Sequence, residues 1–151
     1  MQERAGLLAP GMYVPRLELM SLDGSSATIG ESVTGAHEIL FLYNTTCPFC
    51  RAIMPVWKQV ADRALNAGSS VHGLSVDGVA ETARYSREHE LNFPTLILAT
   101  DRTRALLGAR AVPQTLVIDP EGRVVASWMG GLSPVVIDSL LDFARIQSRV
   151  D

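Results

Sequence analysis

The sequence contains few cysteines, and this shortage excludes one class of protein. Cys47 and Cys50 are the only cysteines in 151 residues, too few for a small scaffold held together by disulfides. A chain of this length that is 47% hydrophobic can build an ordinary core without such cross-links. The two cysteines, separated by two residues, therefore call for an explanation in redox chemistry or in metal binding.

Dense basic runs and long apolar runs are also absent. The 13 Lys and Arg against 16 Asp and Glu give a net charge of −3. A nucleic-acid partner is not expected, because such binding depends on neutralising phosphates. No apolar stretch reaches the roughly 18–20 residues of a membrane span, and Met1–Arg4 lack the apolar core of a secretory signal. The sequence fits a protein with neither segment, and equally one from which a signal or anchor has been removed.

Strand patterns and helix patterns alternate along the chain, which predicts an α/β fold. We expect a single domain over residues 1–151 with an irregular segment at 1–12. The run Ile39–Tyr43 has no polar alternation and predicts a strand covered on both faces. Turn residues around the other apolar segments indicate two hairpins. The predicted strands are 17–19, 27–29, 39–43, 71–76, 96–98, 115–118 and 124–128.

A long helix is predicted to follow the cysteines and to end near Gly68. Pro55 lies inside it and is expected to kink it. Further helices are predicted over 79–90, which is charged and expected to be solvated, over 102–107, and after Ser133 and Pro134. The predicted buried face of the long helix consists of Ala52, Ile53, Val56, Trp57, Val60, Ala61, Ala64 and Leu65.

The Cys-x-x-Cys pair is placed for thiol chemistry at the start of this helix. Cys47 would lie near free backbone N–H groups, which stabilise a thiolate and make it the attacking nucleophile. Cys50, one turn further, would be more buried and would resolve the mixed disulfide. Pro48 suits the first turn, where it has no N–H to lose. Together with Phe49 it also influences how oxidising the pair is.

Two other interpretations of the cysteines fit the sequence less well. A structural disulfide would stabilise little, because a two-residue loop restricts the unfolded chain only slightly. A metal site usually needs four ligands, and only His37, His72 and His89 could join the cysteines. His89 is expected at the solvated surface, His72 at the start of a strand and His37 just before the apolar strand. We therefore predict no metal and no cofactor.

The chain resembles the thioredoxin fold, specifically the TlpA/ResA-like thiol-disulfide oxidoreductases and redoxins, over roughly residues 10–146. This resemblance implies a thioredoxin-like three-layer sandwich: a mixed central β-sheet with helices on both faces, an N-terminal β-hairpin and an inserted helix. The matching features are the Leu-Asp-Gly turn within Pro15–Gly24, the motif Cys47–Arg51, Pro55, the loop Val112–Thr115, the hairpin 116–123 and the insert Val79–Glu90.

The resemblance also implies a site and a partner. Pro113 would be cis and face the dithiol, and Val112 would offer backbone groups to an extended substrate. Thr46, Pro48 and Phe49 would complete the substrate-binding surface. The expected partners are a protein thiol or disulfide and a second redox protein that exchanges electrons with it. Such proteins usually act outside the cytoplasm, in the periplasm or tethered to a membrane.

Three positions depart from the family pattern. Phe41 stands where thioredoxins carry a buried Asp, and Ile53 stands where some TlpA/ResA-like members carry a Glu. Thr46 replaces a Trp that is common before the first cysteine. Without either carboxylate, the surroundings of Cys50 should be apolar and its pKa raised. We therefore expect slower resolution and a poorer general reductant than thioredoxin.

Two alternative functions share this fold. Thiol peroxidases place Thr or Ser three residues before the peroxidatic cysteine, but Asn44 stands there for Cys47. Sco-like copper-binding proteins separate their cysteines by three residues, but here the separation is two. The leading interpretation is therefore electron transfer by dithiol–disulfide exchange. The direction of electron flow and the partner's identity do not follow from the sequence.

Overall fold

The structure, a computed structural model, describes residues 8–31 and 35–146. Within these ranges, strands and helices follow the predicted order. Residues 8–12 contain neither helix nor strand, and the rest of the predicted irregular segment lies outside the described residues. The elements are β1 Leu17–Ser21, β2 Ser26–Ile29, β3 Glu38–Tyr43, α1 Pro48–Asn66, β4 Ser70–Ser75, α2 Val79–Glu88, β5 Thr95–Ile97, α3 Asp101–Leu106, β6 Gln114–Ile118, β7 Val124–Met129 and α4 Pro134–Ile146.

The seven strands form one mixed sheet in the order β2-β1-β5-β4-β3-β6-β7. The interior strand β3 is parallel to β4 and antiparallel to β6. Tyr43 therefore lies opposite Ser75, and Leu42 lies opposite Gln114. The carboxyl ends of β3 and β4 and the amino end of β6 therefore meet at one edge of the sheet.

The sheet is covered on both faces, as the apolar run of β3 predicted. Every residue of β3 is buried, and its side chains alternate between two clusters. Phe41 and Tyr43 join residues of α1, α2 and α4 on one face. On the other face, Leu40 and Leu42 join Leu107, the C-cap of α3, and residues of the N-terminal segment. The expected three-layer α/β arrangement is confirmed.

Helix α1 buries a narrower face than predicted. Ala52 and Leu65 are exposed, whereas Met54 is buried. At 100° per residue, Ala52 lies about 140° around the helix from Trp57 and so faces solvent. The helix is continuous through Pro55, and the kink there stays a prediction. The observed buried residues are Cys50, Ile53, Met54, Trp57, Val60, Ala61 and Ala64.

Helix α2 is not simply a solvated helix, and it ends two residues earlier than predicted. Thr82 and Tyr85 are buried, one turn apart on the same face. The Tyr85 ring stacks on Tyr43 of β3 with 5.7 Å between centroids. The inserted helix therefore contributes a side chain to the cluster that also contains Cys50.

Candidate active site

The two cysteines lie where β3 gives way to α1. Cys47 is the N-cap of α1, with extended backbone angles (φ −83°, ψ 115°), and Pro48 is the first residue of the helix. The Cys50 backbone N–H donates a hydrogen bond to Cys47 Sγ at 3.1 Å. Both thiols are free; Cys47 is partly exposed, whereas Cys50 is completely buried. The Cys47 sulfur is therefore accessible to a partner, whereas the Cys50 sulfur is not.

The surroundings of Cys50 favour its protonated form. Burial is the main cause that raises the pKa of Cys50 to about 12, and the neighbouring Cys47 sulfur raises it further. The Asn44 backbone N–H opposes this shift, whereas the negative charge of Asp77 adds to it. The expectation of a raised pKa at this thiol is confirmed.

This raised pKa predicts the pH dependence of resolution. Only the thiolate of Cys50 can attack a mixed disulfide on Cys47. Because the pKa of Cys50 is about 12, its thiolate fraction should rise about tenfold per pH unit across the neutral and mildly alkaline range. Rapid mixing with dithiobis-nitrobenzoate would report this step as the phase whose rate does not depend on reagent concentration. A plateau of that rate before about pH 9, close to an ordinary thiol pKa, would contradict the prediction.

The Val112–Pro113 loop lies at the same edge of the sheet, and its peptide bond is cis as expected. The loop is held from two sides. The Pro113 carbonyl accepts a hydrogen bond from the Gly130 N–H at 2.8 Å. The Gln114 Nε2 donates to the carbonyls of Gly108 at 2.6 Å and Ala111 at 2.7 Å. Within the described residues, the backbone N–H and C=O of Val112 have no hydrogen-bond partner.

The other candidate binding residues are sequence neighbours of Cys47 and lie at the surface. Thr46, Pro48 and Phe49 are all exposed, and Phe49 exposes 75% of its surface. The Thr46 backbone N–H donates to Asn44 Oδ1 at 3.1 Å, which closes a tight turn before the first cysteine. Val112 packs against the same buried cluster as Cys47. The structure therefore brings the sequence-predicted site residues to one edge of the sheet.

Asp77 was missed from the sequence. It follows β4, and its Oδ2 accepts hydrogen bonds from Thr45 N–H at 2.7 Å and Thr45 Oγ1 at 2.6 Å. The signal was present, because the carboxyl ends of parallel strands meet at one edge of a sheet. The expected apolar surroundings of Cys50 are thus only partly correct: Phe41 and Ile53 are buried, but a carboxylate lies at the edge.

Tyr85 is a second missed neighbour of the dithiol. Its hydroxyl is buried, and its ring belongs to the cluster that contains Cys50. Burial is the main cause that raises the pKa of Tyr85, the negative forms of Cys50 and Cys47 also raise it, and the positive charge of Arg51 lowers it. The only sequence signal was the spacing of Thr82 and Tyr85 within a helix rich in charged residues.

The three histidines do not gather at the cysteines. His72 is the third residue of β4 and not its first. Its Nδ1 lies 2.9 Å from Oε2 of the buried Glu38. His89 is partly buried against Tyr85, with 4.2 Å between ring centroids, so its predicted solvated position is wrong. His37 lies near the Phe143 ring. Across residues 8–31 and 35–146, no three His, Cys, Asp or Glu side chains converge as metal ligands would.

Comparison with known proteins identifies the family. The family model described as AhpC/TSA matches residues 10–127. The chain belongs to the AhpC/TSA family. The predicted redoxin family, the thioredoxin-like fold and the enzyme class, a thiol-disulfide oxidoreductase, are confirmed at that level. None of the helices in the described part of the chain is both long and apolar enough to cross a membrane.

Individual relatives of this AhpC/TSA protein are distant but similar along most of their length. The thiol-disulfide oxidoreductase ResA of Halalkalibacterium halodurans is 22% identical over 140 residues, covering 92% of this chain and 79% of ResA. The thioredoxin domain of a thiol-disulfide oxidoreductase from Bacteroides vulgatus superposes with a TM-score of 0.77 at 20% identity, covering 91% of this chain and 99% of that one. Peroxidoxin BcpB of Mycobacterium tuberculosis gives 0.73 at 22% identity, covering 94% and 97%.

Proposed function

We propose that this protein exchanges disulfides with a protein partner through the Cys47–Cys50 pair, within a single thioredoxin-like domain. One observation carries the proposal: a partly exposed sulfur caps α1 while its partner thiol lies fully buried one turn behind it. This asymmetry suits an attacking and a resolving cysteine. The relatives named thiol-disulfide oxidoreductase agree with it.

In the direction that reduces a partner, the exchange has two steps. The Cys47 thiolate attacks one sulfur of the partner's disulfide, and the other sulfur leaves as a thiolate and takes up a proton. Cys50 then loses its proton and attacks the Cys47 sulfur; the mixed disulfide breaks, and the partner's second sulfur leaves as a thiolate and takes up a proton. The products are a Cys47–Cys50 disulfide and a partner with two thiols. The same steps run backwards would oxidise a partner, and a second redox protein would restore the starting state.

Substrate binding would use the edge around the sulfur of Cys47. The unpaired backbone groups of Val112 are suited to pair with an extended segment of the partner, as an added strand does. Pro113 fixes that loop, and Thr46, Pro48 and Phe49 offer an exposed, largely apolar surface beside it. An extracytoplasmic location, in the periplasm or at a membrane, fits a protein that handles partner disulfides, which persist in oxidising compartments.

Reduction of insulin disulfides tests this function. We expect turnover with dithiothreitol as the electron source, but slower than that of a thioredoxin in the same assay, because Cys50 is protonated at neutral pH. Loss of hydrogen peroxide should be no faster than with free thiol. Equal insulin turnover for the two proteins would contradict the slow resolution, and rapid peroxide consumption would favour a thiol peroxidase.

A further inference from the structure

We propose that Asp77 is a positioning residue of the dithiol: its carboxylate holds the turn that presents Cys47 and keeps a negative charge beside the pair. This inference rests on the proposed dithiol exchange and assigns a role to a residue outside the Cys-x-x-Cys motif. Asp77 comes from the loop between β4 and α2, far from the cysteines in sequence.

The hydrogen bonds of Asp77 show how it fixes the turn. Both the backbone N–H and the hydroxyl of Thr45 donate to the same oxygen, Oδ2, at 2.7 and 2.6 Å. Thr45 lies two residues before Cys47, so these bonds hold the segment between β3 and α1. Hydrogen bonds to a charged acceptor are shorter and stronger than neutral ones. The carboxylate therefore connects the end of β4 to the segment that carries the nucleophile.

Asp77 is itself held in place from the opposite side. Its backbone N–H donates to Ser75 Oγ at 3.1 Å. Ser75 Oγ is in turn 2.8 Å from Thr82 Oγ1 of α2, and both of these side chains are buried. The carboxylate is thus part of a network that runs from the inserted helix to the active-site turn. Such a network limits the positions that the charge can adopt.

The negative charge of Asp77 disfavours the thiolate form of Cys50. Burial is the main cause of the raised pKa of Cys50, and the Asp77 carboxylate raises it further because a thiolate would be repelled. The other titratable groups near Cys50 are Cys47, Tyr43 and Tyr85, with Arg51 beside Tyr85. Asp77 thus supplies the negative charge that Phe41 and Ile53 lack. This charge comes from a different strand end, and it adds to the effect of burial in disfavouring the thiolate of Cys50.

Replacing Asp77 with Asn tests this role, because the amide oxygen can still accept from Thr45 while the charge is lost. The reduced protein would be mixed rapidly with dithiobis-nitrobenzoate, and the concentration-independent release of the second nitrothiobenzoate followed against pH. We expect resolution roughly threefold faster at each pH, since a larger thiolate fraction is partly offset by lower nucleophilicity. The reduction potential should also rise at alkaline pH.

Controls separate this inference from the proposed function. Asp62→Asn, the same substitution at an exposed position of α1, should leave the rate unchanged. Asp77→Ser removes both the charge and the oxygen that accepts from Thr45, so the second release should again be faster while the first, concentration-dependent attack by Cys47 is slower than in Asp77→Asn. A wild-type protein that shows no second release would overturn the exchange function itself. If the wild type shows a normal second release, the exchange function stands. An unchanged or slower second release in both Asp77 variants would then overturn only the role of Asp77. A slower second release would instead make Asp77 a proton acceptor.

Discussion

Replacing Cys50 with Ser is expected to leave the protein joined to its partner, whereas replacing Cys47 with Ser is expected to abolish exchange. The sulfur of Cys47 is partly exposed at the start of α1, and Cys50 is buried behind it. Without Cys50, no thiolate can attack the mixed disulfide from within. Non-reducing electrophoresis after incubation with an oxidised protein substrate should show a stable covalent complex for Cys50→Ser only.

Loss of exchange in Cys47→Ser should be nearly complete, because a serine hydroxyl is not ionised at neutral pH and forms no disulfide. The two variants are matched controls for each other, since each removes one sulfur and each should keep the far-ultraviolet circular dichroism of the wild type. A covalent complex formed by Cys47→Ser and not by Cys50→Ser would reverse the assigned roles. Complexes with neither variant would contradict exchange through this pair.

Those parts of the fold that depend on short-range patterns could be predicted from the sequence. The apolar run Ile39–Tyr43 predicted a strand covered on both faces, and all six residues of β3 are buried. Turn residues located both hairpins. Pro48 marked the start of α1, and Ser133 and Pro134 marked the start of α4, where Val136 N–H donates to Ser133 Oγ. Each of these signals lies within a few residues of the feature it predicts.

The residues that support the site could not be predicted in the same way. Asp77 reaches Thr45 across 32 residues, and this contact exists only because β3 and β4 are parallel neighbours in register. Gln114 holds the Pro113 loop by donating to two backbone carbonyls. No local sequence pattern indicates these hydrogen bonds. Tyr85 is buried because its ring stacks on Tyr43 of β3, although four of the ten residues of its helix are charged. Such contacts depend on the tertiary arrangement, which a single sequence shows only indirectly.

Replacing Phe41 with Ala is expected to be among the most destabilising single changes in the chain. Its ring is fully buried, stacks on Trp57 with 4.6 Å between centroids, and meets the edge of Phe93 at 5.1 Å. Removing it should lower the free energy of unfolding by about 3–5 kcal/mol through lost burial and a residual cavity. For a domain of this size that corresponds to a fall in Tm of roughly 6–20 °C. Urea and thermal denaturation would measure both.

Phe49→Ala makes the same chemical change at a ring that is 75% exposed and should alter stability by less than about 0.5 kcal/mol. Equal losses in the two variants would mean that the aromatic cluster around Trp57 does not stabilise the fold. The cluster also explains why a carboxylate is not easily accommodated at position 41. Phe41→Asp would remove the stacked ring and bury a charge against the rings of Trp57 and Phe93, so its loss of stability should exceed that of Phe41→Ala. In this chain the aromatic ring of Phe41 fills the place behind the dithiol, and the negative charge comes instead from Asp77 at the edge of the sheet.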